Sequence, residues 1–341
     1  MARGRPSRAT IYRRLESAIS ELESRLGGLP SPKESETIWS DIWHLEAHHS
    51  TALEGNTLVL RQVEALLRQG LAVGSKPLKE YMEVKGYADA ASWVYGQAID
   101  PDAWSNGDLI TMTELRRIHA MAMSPVWDVA PHPEANEHET PGNFRQHDIH
   151  AFSGGMTPPP WTDVPAQTRD WVSAVTRLGR TIRGGKALPA PVAEEFARLH
   201  NGFERVHPFI DGNGRAGRLA LNLALIRLGY PPVIIYKTQR NAYLAAMQKS
   251  DGGDHGPLGE LIARAMLDNL NRFIVPNLAG PARLVPLAAL ADDVFSLPAL
   301  RQAAQRGRLD ASQGADGIWR SSKKAVAIYA KTKYNRRPRA I

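Results

Sequence analysis

The sequence predicts a mainly α-helical fold with one short β-hairpin and a small basic unit at its C-terminal end. Three observations carry that expectation. Apolar residues recur at spacings of three and four along most of the chain, the period of a helix face. A stretch rich in Pro and Gly, 125–160, breaks that period and holds one alternating segment, Arg145 to Phe152. Positive charge gathers at the two ends. At 341 residues the chain exceeds one ordinary domain, and the breaks suggest three parts: 1–107, 108–276 and 277–341.

Ile11, Leu15, Ile19, Leu22 and Leu26 form the first stripe, which Gly27, Gly28 and Pro30 end. Ser31, Pro32 and Glu34 read as a capping box with proline at the first helical position. The helix they open runs through Trp39, Trp43 and Leu45 to Glu54, where Gly55 and Asn56 stop it. Residues 58–69 and 76–98 make two further helices, and Leu109, Leu115 and Ile118 mark another from Asp108 to Met123. After the expected hairpin, helices resume at 165–182 and 191–204. A polar, Gly-rich loop fills 205–214, and an apolar helix follows from about Arg215 to Leu228. Helical stretches at 238–250 and 257–275 lead to a linker marked by Pro276, Gly280 and Pro281.

Composition excludes several classes. Hydrophobic residues at 43% and charged residues at 23% rule out a disordered or collagen-like chain. No run of 18 apolar residues occurs, so no membrane span is expected. The basic start, Met1 to Arg14, lacks an apolar stretch behind it and does not read as a secretory signal. With no cysteine, disulfides, thiolate nucleophiles and Cys-type zinc sites are excluded, which fits a cytoplasmic location. Residues 1–14 hold five Arg and no acid, and residues 301–341 hold eleven Lys or Arg against Asp310 and Asp316. The remainder has 26 basic and 33 acidic residues, so basic ends flank an acidic body, a pattern suited to meeting a polyanion.

One segment concentrates chemistry: His207-Pro208-Phe209-Ile210-Asp211-Gly212-Asn213-Gly214-Arg215-Ala216-Gly217-Arg218. Gly212 and Gly214 let the backbone take positive φ and approach a ligand. The next helix aims its unpaired N–H groups into the loop, and with Arg215 and Arg218 makes a seat for a polyphosphate. Asp211 is a hard oxygen ligand suited to Mg²⁺. His207, at the loop's edge, is a candidate general base. Gly212-x-Gly214-x-x-Gly217 also matches a dinucleotide fingerprint, but a helix precedes it and no acid occurs from Gly212 to Ser250. The Lys-Ser/Thr of a P-loop is missing as well.

His207 to Arg218 matches H-P-F-x-D-G-N-G-R-x-x-R at each specified position, and the chain thereby resembles the Fic family over roughly residues 36–275, including Pro141-Gly142-Asn143-Phe144-Arg145. The resemblance implies a Fic helical bundle with a β-hairpin flap, and transfer of AMP from ATP, with Mg²⁺, to a Ser, Thr or Tyr hydroxyl of a target protein. It implies that His207 deprotonates the target hydroxyl and Asp211 holds Mg²⁺. Gly212, Asn213, Gly214 and Arg215 would cradle the α- and β-phosphates, with Ala216 and Gly217 in the same nucleotide-binding stretch, and Arg218 would hold the γ-phosphate. Ile149, His150 and Ala151 match the family's flap, where an extended target segment would add as a strand.

Ser50-Thr51-Ala52-Leu53-Glu54-Gly55 resembles the family's inhibitory motif, S/T-x-x-x-E-G/N, within a helix of about 38–55. Ser50 and Glu54 share a helix face. The likeness implies that Glu54 grips Arg218 and excludes the γ-phosphate. Some such relatives also remove AMP, and a predominantly de-adenylylating enzyme at the same site is the alternative. Where relatives carry paired tyrosines and an asparagine, this chain has Tyr243-Leu244 and Asp251. ATP is the default nucleotide, UTP, GTP and CTP are alternatives, and Tyr236 and Tyr243 are base-contact candidates.

His44 with His48 and His147 with His150 have ligand-like spacings but no convergent third partner, so they read as hydrogen-bonded or solvated. Leu297 to Gln305 reads as a helix stopped by Gly307. Short strands flank Gly314 to Gly317, and a basic helix starts near Ser322 with Lys323, Lys324 and Lys331. This resembles a small winged helix-turn-helix of excisionase or MerR type, which implies DNA contact through 285–341, with a peptide-binding or dimerising role as the alternative. A DNA-binding regulator with a Fic core, and a homo-oligomer, are the further expectations.

Overall fold

In the computed structural model, the structure describes residues 6–30, 36–99, 108–150, 156–278, 284–314 and 316–332. The expected capping box at Ser31 to Glu34 lies outside them, as does Ala151. The helices are α1 (Arg8–Leu26), α2 (Glu36–Leu53), α3 (Leu60–Gln69), α4 (Leu78–Ile99) and α5 (Met112–Trp127). They continue as α6 (Val164–Arg183), α7 (Val192–Val206), α8 (Asn213–Arg227), α9 (Arg240–Asp251), α10 (Gly256–Asn269) and α11 (Val275–Leu278), and the end unit holds α12 (Leu297–Gln305) and α13 (Lys323–Thr332). The strands are β1 (Val285–Pro286), β2 (Ala311–Gln313) and β3 (Trp319–Ser321).

Local chemistry sets the helix ends. Ser7 caps α1 by accepting from Thr10 N–H, and Gly27 ends it in the left-handed region. Thr111 and Glu114 form a reciprocal capping box on α5. Between α10 and α11 the chain passes Leu270–Ile274 as a π turn, because Pro276 cannot donate the hydrogen bond that a continuous α-helix needs.

Helix α8 is the axis of the bundle. Nearly every residue in it is buried, polar ones included. Helices α2, α4, α5 and α7 pack against it, α6 lies against α7, and α10 covers α7. A helix enclosed all round has no solvent stripe, which is why its apolar residues show so little one-sidedness. Helix α1 crosses α10, and Tyr12 donates to Glu194 of α7 and to the Gly256 carbonyl at 2.9 and 3.2 Å.

The end unit is a three-stranded antiparallel sheet in the order β1-β3-β2, with Val285 opposite Ser321 and Ala311 opposite Ser321 on the other side. Arg320 on β3 reaches Glu21 of α1 at 2.8 Å and so ties this unit to the bundle. The hairpin expected at Arg145 to Phe152 differs from expectation: residues 145–150 carry no strand. Side chains satisfy their backbone instead. Glu139 accepts from Gln146 N–H at 2.6 Å, and Arg145 donates to the carbonyls of His147 and Pro159 at 2.8 and 2.6 Å. No helix of the described residues is long and apolar enough to cross a membrane.

Candidate active site

The site is the junction of α7 and α8. Helix α7 ends because His207 takes a left-handed conformation, φ 48°, with its N–H still bonded to Phe203 O at 3.1 Å. Among the described residues it is the one non-glycine at positive φ, a local strain of the kind that collects at functional sites. Its Nδ1 lies 3.2 Å from the Glu204 carbonyl, the contact that Nδ1–H would make, which leaves Nε2 as the basic nitrogen. Burial, with the Arg145 charge adding to it, pulls the imidazole down to about 4, so it is neutral at pH 7.

The loop after His207 is pinned from three sides. Arg145, itself buried, donates from Nε to the His207 carbonyl at 2.9 Å. His119 of α5 accepts from Gly142 N–H at Nδ1 and therefore donates from Nε2 to the Asp211 carbonyl, both at 2.8 Å. Its ring stacks on Phe209 with centroids 3.7 Å apart. Asn213 accepts from Phe209 N–H at 2.9 Å and donates to Phe209 O at 2.7 Å. The Asn213 side chain is thus committed to closing the loop, and its backbone N–H is what it can offer a phosphate.

Gly212, at φ 76°, turns the chain into α8, so the first N–H groups of α8 face the site without intrahelical partners. A side chain at Gly212 would also meet Met123 Sδ at 2.5 Å. Asp211 Oδ1 accepts from Gly212 N–H at 2.6 Å and from Arg215 at 3.2 Å. Burial opposes its charge, but Arg215 and Gly212 outweigh that and hold the carboxyl below its ordinary range. Arg215 is buried, and its Nε and Nη1 find no acceptor among the described residues.

Glu54 closes the site. Its Oε1 accepts from Arg218 Nη2 at 2.7 Å, and a Cβ built on Gly214 would lie 2.4 Å from that same oxygen. The carboxylate therefore rests on the first turn of α8, where an incoming anion would sit. Ser50 Oγ and its carbonyl accept from Arg218 at 2.7 and 3.0 Å. The Glu54 side chain is 41% exposed while that of Arg218 is 5% exposed, so the carboxylate is the part that can leave towards solvent. Burial opposes ionisation of Glu54, but the Arg218 charge prevails and holds its carboxyl low.

His207, Asp211, Gly212 to Arg215, Arg218, Ser50 and Glu54 thus lie together at the α7–α8 junction. Ala216 and Gly217 stand one step back: Ala216 is buried in the bundle, and Gly217 leaves room for Glu204, whose Oε1 a Cβ would meet at 2.3 Å. Tyr243 is 5% exposed and bonds His200 at 2.7 Å, so it offers the site no open ring face. Tyr236 donates to Asp268 at 2.7 Å. Ile149 is half-buried and His150 exposed. A cleft of about 570 Å³ borders α7 and α9, lined by Thr157, Pro159, Asn201, Arg205, Val206 and Asp251. His119, Arg145 and Glu46 were missed in the sequence. A single His or Glu on an apolar helix face gives no periodic signal, although the Pro141 to Arg145 segment does mark Arg145.

Among the described residues no three His, Asp or Glu side chains converge as a metal site. Mg²⁺ at a nucleotide is held by one or two carboxylates together with substrate phosphates and water. Asp211 fits such a role.

Comparison with known proteins shows what the chain is similar to. A profile of the Fic/DOC family matches residues 109–225. A protein adenylyltransferase Fic from Drosophila yakuba is 28% identical over 271 residues, which cover 77% of this chain and 48% of that protein. The chain thus spans about half the length of the curated relatives it matches. Among solved structures, Fic-1 from C. elegans superposes with a TM-score of 0.63 at 24% identity, over 78% of this chain and 71% of that one. A Fic-domain signaling protein from Bacteroides thetaiotaomicron gives 0.61 at 23% identity, over 84% of this chain and 98% of that one.

Proposed function

We propose that this chain, whose residues 109–225 match the Fic/DOC family, is a protein adenylyltransferase held in check by Glu54. The observation that carries this reading is Arg215, a buried guanidinium whose Nη2 holds Asp211 while its Nε and Nη1 have no acceptor among the described residues, beside the unpaired N–H groups of α8. Such a set is costly to leave empty and matches phosphate oxygens.

His207 Nε2 takes the proton of a target hydroxyl. The oxygen attacks the α-phosphorus of ATP, a P–O bond to the target forms, and pyrophosphate leaves with the electrons of the broken bond. Arg215 and the first turn of α8 hold the phosphates, and Arg218 takes the γ-phosphate once Glu54 leaves. Mg²⁺, when bound, supplies neutralisation of phosphate charge, and Asp211 is the residue that would hold it. The cleft beside Asn201 and Asp251 is the proposed seat of the nucleoside. The segment from Ile149 onward is the proposed dock for an extended target.

Labelled ATP with Mg²⁺ tests the reading. Glu54→Gly is expected to raise self-modification about tenfold or more, and His207→Ala in that background to lower it about 10²–10⁴-fold. No nucleotide uptake by Glu54→Gly, measured by calorimetry, would sink it.

For the end unit we propose contact with duplex DNA. Pairing of Ala311 with Ser321 brings Arg308 and Lys323 to one end of the β2–β3 ladder, with Arg306 and Lys324 close by, all exposed. Duplex binding that weakens steeply with salt and is lost on Arg306→Ala/Arg308→Ala is the expected result. Binding indifferent to salt contradicts it.

A further inference from the structure

Helices α2 and α8 meet antiparallel along a ladder that advances one turn at a time. Glu54, Ser50 and Glu46 are four apart on α2 and its closing turn, hence on one face; Gly214, Arg218 and Asn222 are four apart on α8. The first rung is Glu54 on Gly214 and Arg218, the second Ser50 on Arg218. The third is Glu46: Oε1 accepts from Asn222 Nδ2 at 2.8 Å and from the Tyr87 hydroxyl at 2.7 Å, and Oε2 accepts from the Tyr95 hydroxyl at 2.8 Å. The first two rungs belong to the nucleotide site. The third stands about 12 Å behind Glu54 along the helix and touches neither nucleotide seat nor loop.

We propose that Glu46 is a positioning residue for Glu54, fixing the register of α2 on α8 and so setting how firmly Glu54 holds Arg218. The inference rests on the reading of Glu54 as a brake. A carboxylate that is 2% exposed is tolerated only while its donors stay in place. Those donors come from α4 and α8, two of the helices α2 packs on, so α2 cannot slide or roll without stripping one of them. Asn222 is itself immobilised, donating to Val233 O at 3.0 Å and accepting from Val233 N–H at 2.8 Å. At the far end Arg240 donates to the Leu53 carbonyl at 2.9 Å, and the other holds on the end of α2, the Arg218 bonds to Ser50, run through the arginine that Glu54 itself grips. Glu46 is thus a hold on α2 that is independent of Arg218, and a small tilt there is passed on to Glu54.

Self-modification with ATP and Mg²⁺ is compared in full-length wild type, Glu46→Gln, Glu54→Gly and the double variant. Glu46→Gln places an amide where three donors converge. It is expected to raise the wild-type rate about tenfold and to add nothing in the Glu54→Gly background, since the two act through one equilibrium. Tyr95→Phe removes one donor with little change of volume and serves if Glu46→Gln does not melt cooperatively. It should raise the rate less, with the same dependence on Glu54. A wild-type rate in folded Tyr95→Phe and Glu46→Gln overturns the proposal. So does an equal increase with Glu54 absent, because the effect would then lie in the transfer chemistry. A wild-type rate in Glu54→Gly brings down the brake itself, and this inference with it.

Discussion

His119, His200 and His207 are three imidazoles kept neutral mainly by burial, at about 4, about 3 and about 4. In the unfolded chain they take a proton near 6.5. Between those limits the unfolded state holds more protons, so they make unfolding free energy fall as pH falls from 6.5 towards 4. Glu46 and Glu204 act in the opposite sense. Burial lifts their carboxyls from 4.5 to about 7 and about 8, so the folded state holds the extra protons and stability declines as pH rises towards those values. His48 and His49, drawn down to about 4 by burial, and His44, also lowered by burial, act with the other three imidazoles, so below 6.5 the imidazoles outnumber the two carboxyls, and above 6.5 the carboxyls act alone. Stability is therefore expected to peak near pH 6.5 and to drop on either side, by about 1.4 kcal/mol per pH unit for each unmatched proton. Urea unfolding at pH 5, 6.5 and 8 checks this; a monotonic rise from 5 to 8 contradicts it.

At the level of elements, the helices were legible and the flap was not, for one physical reason. A helix satisfies its own backbone, so a stripe such as Ile11, Leu15, Ile19, Leu22 and Leu26 needs only a partner face to become α1. A two-stranded flap needs cross-strand hydrogen bonds, and nothing in the alternation at Arg145 to Phe152 revealed that Glu139 and Arg145 would take those groups first. Helix ends were legible where a cap sits in the sequence, as at Thr111 and Glu114, while the π turn before Pro276 was not, because the 3.6-residue period runs on through it. The proposed nucleotide seat shows in the sequence as residue types at fixed spacing. Its support does not: His119, Arg145 and Glu46 lie 92, 62 and 176 residues from the groups they fix.

For the whole molecule, the asymmetry of charge poses a mechanical problem, since a basic end unit must stay attached to an acidic bundle. Arg320 is the fastening. It donates to Glu21 of α1 at 3.1 and 2.8 Å and to Asp316 at 3.1 and 2.8 Å, and its side chain is 12% exposed. The two carboxylates hold the guanidinium in its charged form against its partial burial. Because β3 carries Arg320 and is also the central strand, pulling on this contact pulls on the whole sheet. Wild type should therefore melt in one calorimetric transition. Arg320→Ala removes this tie to Glu21 and frees the small unit to melt ahead of the bundle, giving two transitions. In a double-mutant cycle Glu21 and Arg320 should couple by about 1 kcal/mol, the scale for two partly buried charges in direct contact. A single unshifted transition in Arg320→Ala, or a coupling indistinguishable from zero, would mean that apolar packing, of Leu287–Leu290 on the Leu270–Ile274 turn and of Val285 against Leu22 and Leu270, holds the unit in place without help from charge.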